Sequence, residues 1–323
     1  MRTATRFGAA AKAELLALVA RTRERTGWTI RRVLGRLGLA RSTYRDWVGR
    51  AGRDALADQP TAAPTLDALL PEEAAAVRGY ALAHPKDGYR RLAWQMVDAD
   101  VVYLSPSSVY RVLRDADLLY RWKRAGPGGQ APAPPTQVHE RWHTDLMYLR
   151  VGDGWYFLVT VLDAYSRYVV HWELLATMAA ADVRYVIQHA LERTGAHPKL
   201  VTDNGPQFTA AEFRDLVRRF AVEHIRIRTY HPESNGLVER FHRSTREALG
   251  DEALRTVERA RGLVDAWVQH YNEARLHAGL GYLPPAEYYR GDPAARRQER
   301  QTKLEGGRVE RRRRNRERVD AAA

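Results

Sequence analysis

Cysteine is missing from all 323 positions of the chain. Its absence excludes disulfides, thiolate-held zinc and a cysteine nucleophile, and it suits a reducing cytoplasm. Long apolar runs are missing too. No stretch approaches the roughly 18 apolar residues of a membrane span, and the opening MRTATRFGAAAKAELLALVARTR holds no apolar core of signal-peptide length. Lysine is scarce, 5 of 52 cationic residues. Arginine suits bidentate phosphate contacts, although a G+C-rich genome produces the same bias. The expectation is a cytoplasmic protein with no membrane partner.

What the chain does have is positive charge, +13 in all, and it is unevenly placed. Residues 1–130 carry 22 Lys and Arg against 13 Asp and Glu, residues 131–290 carry 19 against 20, and residues 291–323 carry 11 against 6. Basic flanks around a neutral middle fit ends that grip a polyanion while the centre does something else.

The flanks read as helices. KAELLALVARTRER (12–25) repeats apolar positions at helical spacing, and TIRRVLGRLGLARSTYRDWV (29–48) reads as helix, turn, helix. Ile30, Val33, Leu34 and Leu37 form its stripe, Gly38 permits the turn, Leu39 plugs the corner and Ser42 can cap the second helix. Tyr44, Trp47 and Val48 then pack back. Arg41, Thr43 and Arg45 are left exposed, where a helix-turn-helix reads the major groove; the alternative is a hairpin with solvated arginines. After the spacer PTAAP (60–64), helices over 71–84 and 88–100 and a helix capped by Ser105-Pro106 (107–119) form a second such unit, which either contacts DNA or serves as scaffold or dimerisation surface. AGPGGQAPAPP (125–135) reads as a linker. The boundaries expected are 1–58, 66–124, a linker over 125–137, a core over 138–290 and a basic tail over 291–323. In the tail, GGRVERRRRNRERVD (306–320) reads as disordered, either a nucleic-acid arm or a solubilising end.

From 141 the periodicity changes. Three strands are expected in a meander, with VGDG (151–154) as the first hairpin turn, then a helix over 179–193, a strand over 199–202 and a helix over 210–220. A fifth strand over 222–227 and helices over 235–249 and 253–273 follow. The pattern predicts an α/β fold with a mixed five-stranded sheet flanked by helices, preceded by all-α helix-turn-helix units.

Within WHTDLMYL, Asp145 is out of place, because a strand among apolar residues should not bury an unpaired carboxylate. VTDNGPQF (201–208) ends the fourth strand on Asp203. If that strand lies beside and parallel to the first, the two aspartates are neighbours. HPESNGLVERFHRSTREAL (231–249) supplies Glu239 on a helix capped by Ser234 or Asn235, with Val238, Phe241, Thr245 and Leu249 buried. Glu239, Arg243 and Arg246 share another face. They form either a surface ion pair or a carboxylate aimed into a site with arginines beside it for phosphates. Clustered carboxylates without thiols call for a hard cation, Mg²⁺ or Mn²⁺, and two ions would suit an in-line phosphoryl displacement.

WHTDLMYL, LVTDNGPQF and HPESNGLVERFHR resemble the three signatures of the DDE transposase and retroviral-type integrase superfamily, with 35 residues between Asp203 and Glu239 as in that superfamily. YNEARLHAGLGYLPPAEYY (271–289) is similar to the end of the core in bacterial insertion-sequence transposases. The resemblance implies an RNase H-like core and a metal-binding catalytic triad of Asp145, Asp203 and Glu239. The activity it implies is hydrolysis at transposon ends followed by 3′-OH strand transfer. The partners it implies are terminal inverted repeats, target DNA and further copies of the chain on paired ends, and an upstream helix-turn-helix accessory protein is an open possibility. The competing reading is an inactive or domesticated DNA-binding regulator. Among the accessory residues, Asp163 and Arg167 read as a structural pair, and Tyr271, Asn272 and His277 as packing for the last helix. His143 either touches DNA or is a satisfied strand histidine, and Asn204 either shapes its turn or orients a ligand.

Overall fold

Why the chain turns at residue 38 is visible in its backbone. Gly38 ends helix α2 (Ile30–Leu37) at φ 65°, a left-handed conformation that glycine adopts without strain, and α3 (Arg41–Ala51) follows at once. The computed structural model describes residues 7–53, 55–57, 66–119, 133–226, 236–250 and 254–321. They divide into two compact units, Met1–Ala68 with Arg313–Ala323, and Leu69–Arg312.

In the first unit, α1 (Ala9–Thr26) joins α2 and α3 around Val19, Val33 and Leu34, while Trp47 is buried on α3. Three details differ from expectation. Ser42 does not cap α3, because extended Ala40 already occupies the N-cap position and the helix starts at Arg41. Thr29 instead caps α2, accepting from the Arg32 N–H. Leu37 and Val48 lie on outer faces, 40% and 47% exposed, since this small core is filled by three side chains and Trp47. Arg41 and Arg45 are exposed and Thr43 is half-buried. The 60–64 spacer and most of the linker lie outside the described residues.

The second unit begins with α4 (Pro71–Ala83), α5 (Tyr89–Asp98) and α6 (Pro106–Asp115), packed through Val77, Leu92, Met96, Val109 and Leu113. Ser105 caps α6 and Pro106 takes its first position, as the sequence indicated.

The sheet follows. Strands β1 (Arg141–Val151), β2 (Gly154–Asp163) and β3 (Val169–Leu175) form an antiparallel meander, with Gly152 at φ 57° in the first turn. Helix α7 (Ala180–Thr194) then carries the chain to β4 (Lys199–Thr202), parallel to β1. Two short helices, α8 (Pro206–Thr209) and α9 (Ala211–Arg219), lead to β5 (Glu223–Arg226), parallel to β4. Strand order is β3-β2-β1-β4-β5. One face packs Trp142, Val159 and Val161 against Ile187, Phe208 and Phe213 of α7 to α9. The other packs Met147, Leu158 and Leu162 against α10 (Gly236–Leu249) and α11 (Val257–Glu273) through Phe241, Val264 and Tyr271. The cap expected from Ser234 or Asn235 lies outside the described residues.

After α12 (Pro285–Tyr289), the tail departs from expectation. Rather than being disordered, residues Pro293–Ala321 form one helix, α13. Arg300 pairs with Asp98, Lys303 with Asp100, and Arg311 with Glu73 at 2.8 Å. Gly307 sits against Tyr103 with no room for a Cβ. Three cations of this helix are thus held by carboxylates of α4 and the end of α5, more than 200 residues earlier. No described helix is long and apolar enough to cross a membrane.

Candidate active site

Side chains alternate along β1, so Asp145 shares the α10 face with Met147 and Leu149. The β1/β4 pairing sets Trp142 opposite Leu200 and His143 opposite Val201. Continued for two residues, the same register would set Asp145 opposite Asp203, just past the end of β4. Asp203 Oδ1 accepts the Gly205 N–H at 3.0 Å, so the carboxylate itself closes the Asn-Gly-Pro turn. Glu239 is exposed in the first turn of α10. Burial pushes the Asp145 carboxyl up to about 6, and the Asp203 and Glu239 charges push in the same direction. The Leu146 N–H, at 2.8 Å, and Arg246 oppose the rise. Asp145 therefore feels both other carboxylates and one arginine.

An integrase core domain model matches residues 135–232 and a second integrase core domain model matches 221–285. The chain is 30% identical over 225 residues to an insertion element IS407 protein of 31.7 kDa from Burkholderia multivorans, covering 67% of this chain and 80% of that protein. It belongs to the DDE transposase and integrase superfamily, in the bacterial insertion-sequence branch. It is also 27% identical over 242 residues to an insertion element IS476 protein of 39.2 kDa from Xanthomonas euvesicatoria, covering 73% of this chain and 68% of the other. The Escherichia coli transposase InsD of insertion element IS2 is 28% identical over 225 residues, with 64% and 74% covered. The mixed sheet with its two helical layers is the RNase H-like integrase core.

Within this core, several side chains sit where sequence reasoning did not put them. His242, overlooked, is buried on α10 with Nδ1 3.7 Å from Asp145 Oδ2. Burial, helped by Arg246, pulls its pKa down to about 4, so it stands neutral beside the carboxylate at pH 7. Its position three residues after Glu239 was the available signal. Asp163 and Arg167 are not a pair. The buried Asp163 carboxylate accepts from the His139 and Ser166 N–H groups, both at 2.8 Å, and from the Ser166 hydroxyl. Arg167, at φ 61°, sends its guanidinium to Gly279 instead. Arg246 faces Asp145 electrostatically, whereas Arg243 lines a cavity with Arg167, so the two arginines do not share one site. His143 is only 5% exposed and Asn204 is exposed.

Integrase cores imply a divalent metal, and the residues here can be tested for it. Among the described residues, no three His, Cys, Asp or Glu side chains converge closely enough to chelate one ion. The carboxylates interact electrostatically without yet meeting as ligands. Their donor set fits the metal all the same. It consists of hard oxygens, and Asp145 is half-protonated near pH 6 because burial, and after it the Asp203 and Glu239 charges, disfavour its ionised form.

That imbalance makes a stability prediction. Below about pH 4, Asp145 is protonated in both folded and unfolded chains. Between about 4 and 6 the folded chain holds the extra proton, so stability falls as pH rises, and above about 6 the loss is complete at about 3 kcal/mol. Asp145→Asn in EDTA should therefore raise the melting temperature by about 5 °C or more at pH 7.5, with little gain at pH 4. Thermal melts at the two pH values measure this. Equal melting of the two proteins at pH 7.5 would show that the carboxylate is not strained by its surroundings.

Proposed function

We propose that the chain is a DNA transposase that hydrolyses phosphodiester bonds at the ends of its element and joins the resulting 3′-OH to target DNA. The observation that carries this reading is the parallel β1/β4 register, which runs Asp145 towards Asp203, in an insertion-sequence integrase core. Asp145, Asp203 and Glu239 would hold Mg²⁺ or Mn²⁺, two ions in the working complex. When bound, such ions lower the pKa of an attacking water and stabilise the leaving oxygen. The chain's own groups do the rest. Strand β1 would hold one carboxylate, the turn just past β4 the second, and the first turn of α10 the third. His242, neutral and buried, backs Asp145 without competing for negative charge. Arg246 meets a DNA phosphate at the rim, and Arg41, Thr43 and Arg45 present a recognition helix to the terminal inverted repeats. No protein–DNA covalent bond is needed, because water and then the 3′-OH serve as nucleophiles.

An element has two ends, and one triad serves one position at a time, so the working form is at least two chains on paired ends. The protein would act in the cytoplasm, on the nucleoid. The test is to incubate the full chain and Mg²⁺ with duplexes carrying the inverted repeats that flank its gene, together with a target plasmid. Nicked ends with free 3′-OH and end–plasmid joints are expected. End binding without either product would favour the regulator instead.

A further inference from the structure

The other side of α10 holds a feature that the triad does not use. A cavity of about 300 Å³ is lined by Arg91, Arg167, Arg240, Arg243, Arg275 and His277, and Glu247 is the single carboxylate on its wall. The arginines come from α5, the β2–β3 turn, α10 and the segment after α11, which are far apart in sequence. On α10, Arg240, Arg243, Ser244 and Glu247 follow one another at helical spacing and face away from the Asp145 side, where His242 and Arg246 lie.

Guanidinium groups gathered this way should scatter unless something holds them. Arg91 is held by Asp87 at 2.6 Å, and Arg275 donates to Ser244 at 3.1 Å while lying over Trp267 and Tyr271. Arg167, Arg240 and Arg243 have no carboxylate partner among the described residues. Burial, and after it the neighbouring Arg240, lowers the Arg167 pKa, as expected of a partly buried cation beside another. His277 is 93% buried, its Nε2 has no hydrogen-bond partner, and burial, with the surrounding arginines adding to it, keeps it neutral, with a pKa down to about 2. His277 is itself among the residues that line the cavity. Gly279 completes the wall, since a Cβ there would strike the Arg167 guanidinium. A site rich in forked donors, short of acceptors and roomy enough for a phosphate group suits phosphate oxygens.

We infer that this cavity is a second nucleic-acid contact, binding one backbone phosphate of a DNA strand between Arg167, Arg240, Arg275 and His277, on a face of α10 turned away from Asp145. This rests on the transposase reading only in taking DNA as the source of the phosphate. A strand held there would be gripped on both sides of α10, which would fix its path past the carboxylates.

The experiment reads DNA binding by the full chain in EDTA, so chemistry at the triad does not enter. Anisotropy titrations of an element-end duplex would be run across salt concentrations for the wild type, the double variant Arg167→Gln/Arg240→Gln, and Gly279→Ala. The double variant should lose affinity by about tenfold to a hundredfold and show a salt slope shallower by about one. Gly279→Ala should weaken binding in the same direction with every charge retained, because it displaces only the Arg167 guanidinium. Circular dichroism and melting temperature report whether each variant is folded. If the double variant is not, Gly279→Ala and the exposed Arg240→Gln decide alone. In a second arm, inorganic phosphate should raise the melting temperature of the wild type more than that of Arg240→Gln. Unchanged DNA affinity and slope in folded variants would overturn the inference. A phosphate response without any change in DNA binding would overturn it too, since the site would then take a free anion. A wild type that binds no duplex at all contradicts the transposase reading itself.

Discussion

Asp145→Asn, Asp203→Asn and Glu239→Gln are each expected to lower end cleavage and strand transfer by about a thousandfold or more while leaving end binding within a few-fold of wild type. The size follows from what each carboxylate would do. Losing one ligand from a two-ion site removes several kcal/mol of charge stabilisation at the transition state, and about 1.4 kcal/mol is tenfold in rate. The three should not differ greatly, because the ions act together and the substitutions are not additive. Binding is spared because the groups expected to carry it, Arg41, Arg45 and the cavity arginines, lie elsewhere. Asp145→Asn is the most informative of the three, since it should abolish chemistry and stabilise the metal-free protein at once. A loss of activity caused by misfolding would show the opposite sign in the melt. Strand transfer near wild-type level in any one variant removes that residue from the metal site.

Asn272→Ala is expected to cost about 2–5 kcal/mol of stability, the largest structural effect among these substitutions. Asn272 is 5% exposed on α11, and it reads the edge strand from the side. Its Oδ1 accepts the Val169 N–H at 2.9 Å and its Nδ2 donates to the Val169 C=O at 3.1 Å. Val169 is itself buried, so truncation strands a backbone donor and acceptor without water to replace the lost partner. Asn272→Asp should also destabilise, because a carboxylate can accept from the N–H but meets the carbonyl with like charge. A melting temperature lowered by about 5–15 °C checks this. A shift under roughly 2 °C would mean that the β3 edge is held by its ladder to β2 alone.

How much of this was legible beforehand follows from the range over which each feature is determined. The sheet order was legible because alternation marks strands locally and a crossover helix places β4 beside β1. Once that was set, Asp145 and Asp203 had to be neighbours. Asp145 was conspicuous for the simplest reason, a carboxylate in an apolar strand. Other features depended on contacts that no local pattern contains. His242 looked like one more polar residue on a basic helix face, and only the crossing of α10 over β1 buries it. Asp163 and Arg167 looked like a pair at four-residue spacing, but the turn closes on Ser166 and the left-handed Arg167 swings its side chain the other way. The tail was read from its own charge alone, whereas Asp98, Asp100 and Glu73 pair with Arg300, Lys303 and Arg311 along it. The arginine cavity collects residues from four segments, so no local pattern in the sequence shows that they meet.

The central claim is that Asp145, Asp203 and Glu239 hold the ions that act on DNA. Its most direct test is an equilibrium titration of Mn²⁺ into the full chain bound to a pre-cut end duplex, with free Mn²⁺ followed by electron paramagnetic resonance. The account predicts about two tightly held ions per active site in the wild type and loss of that uptake in Asp203→Asn with DNA still bound. Equal Mn²⁺ uptake by the wild type and Asp203→Asn would contradict it.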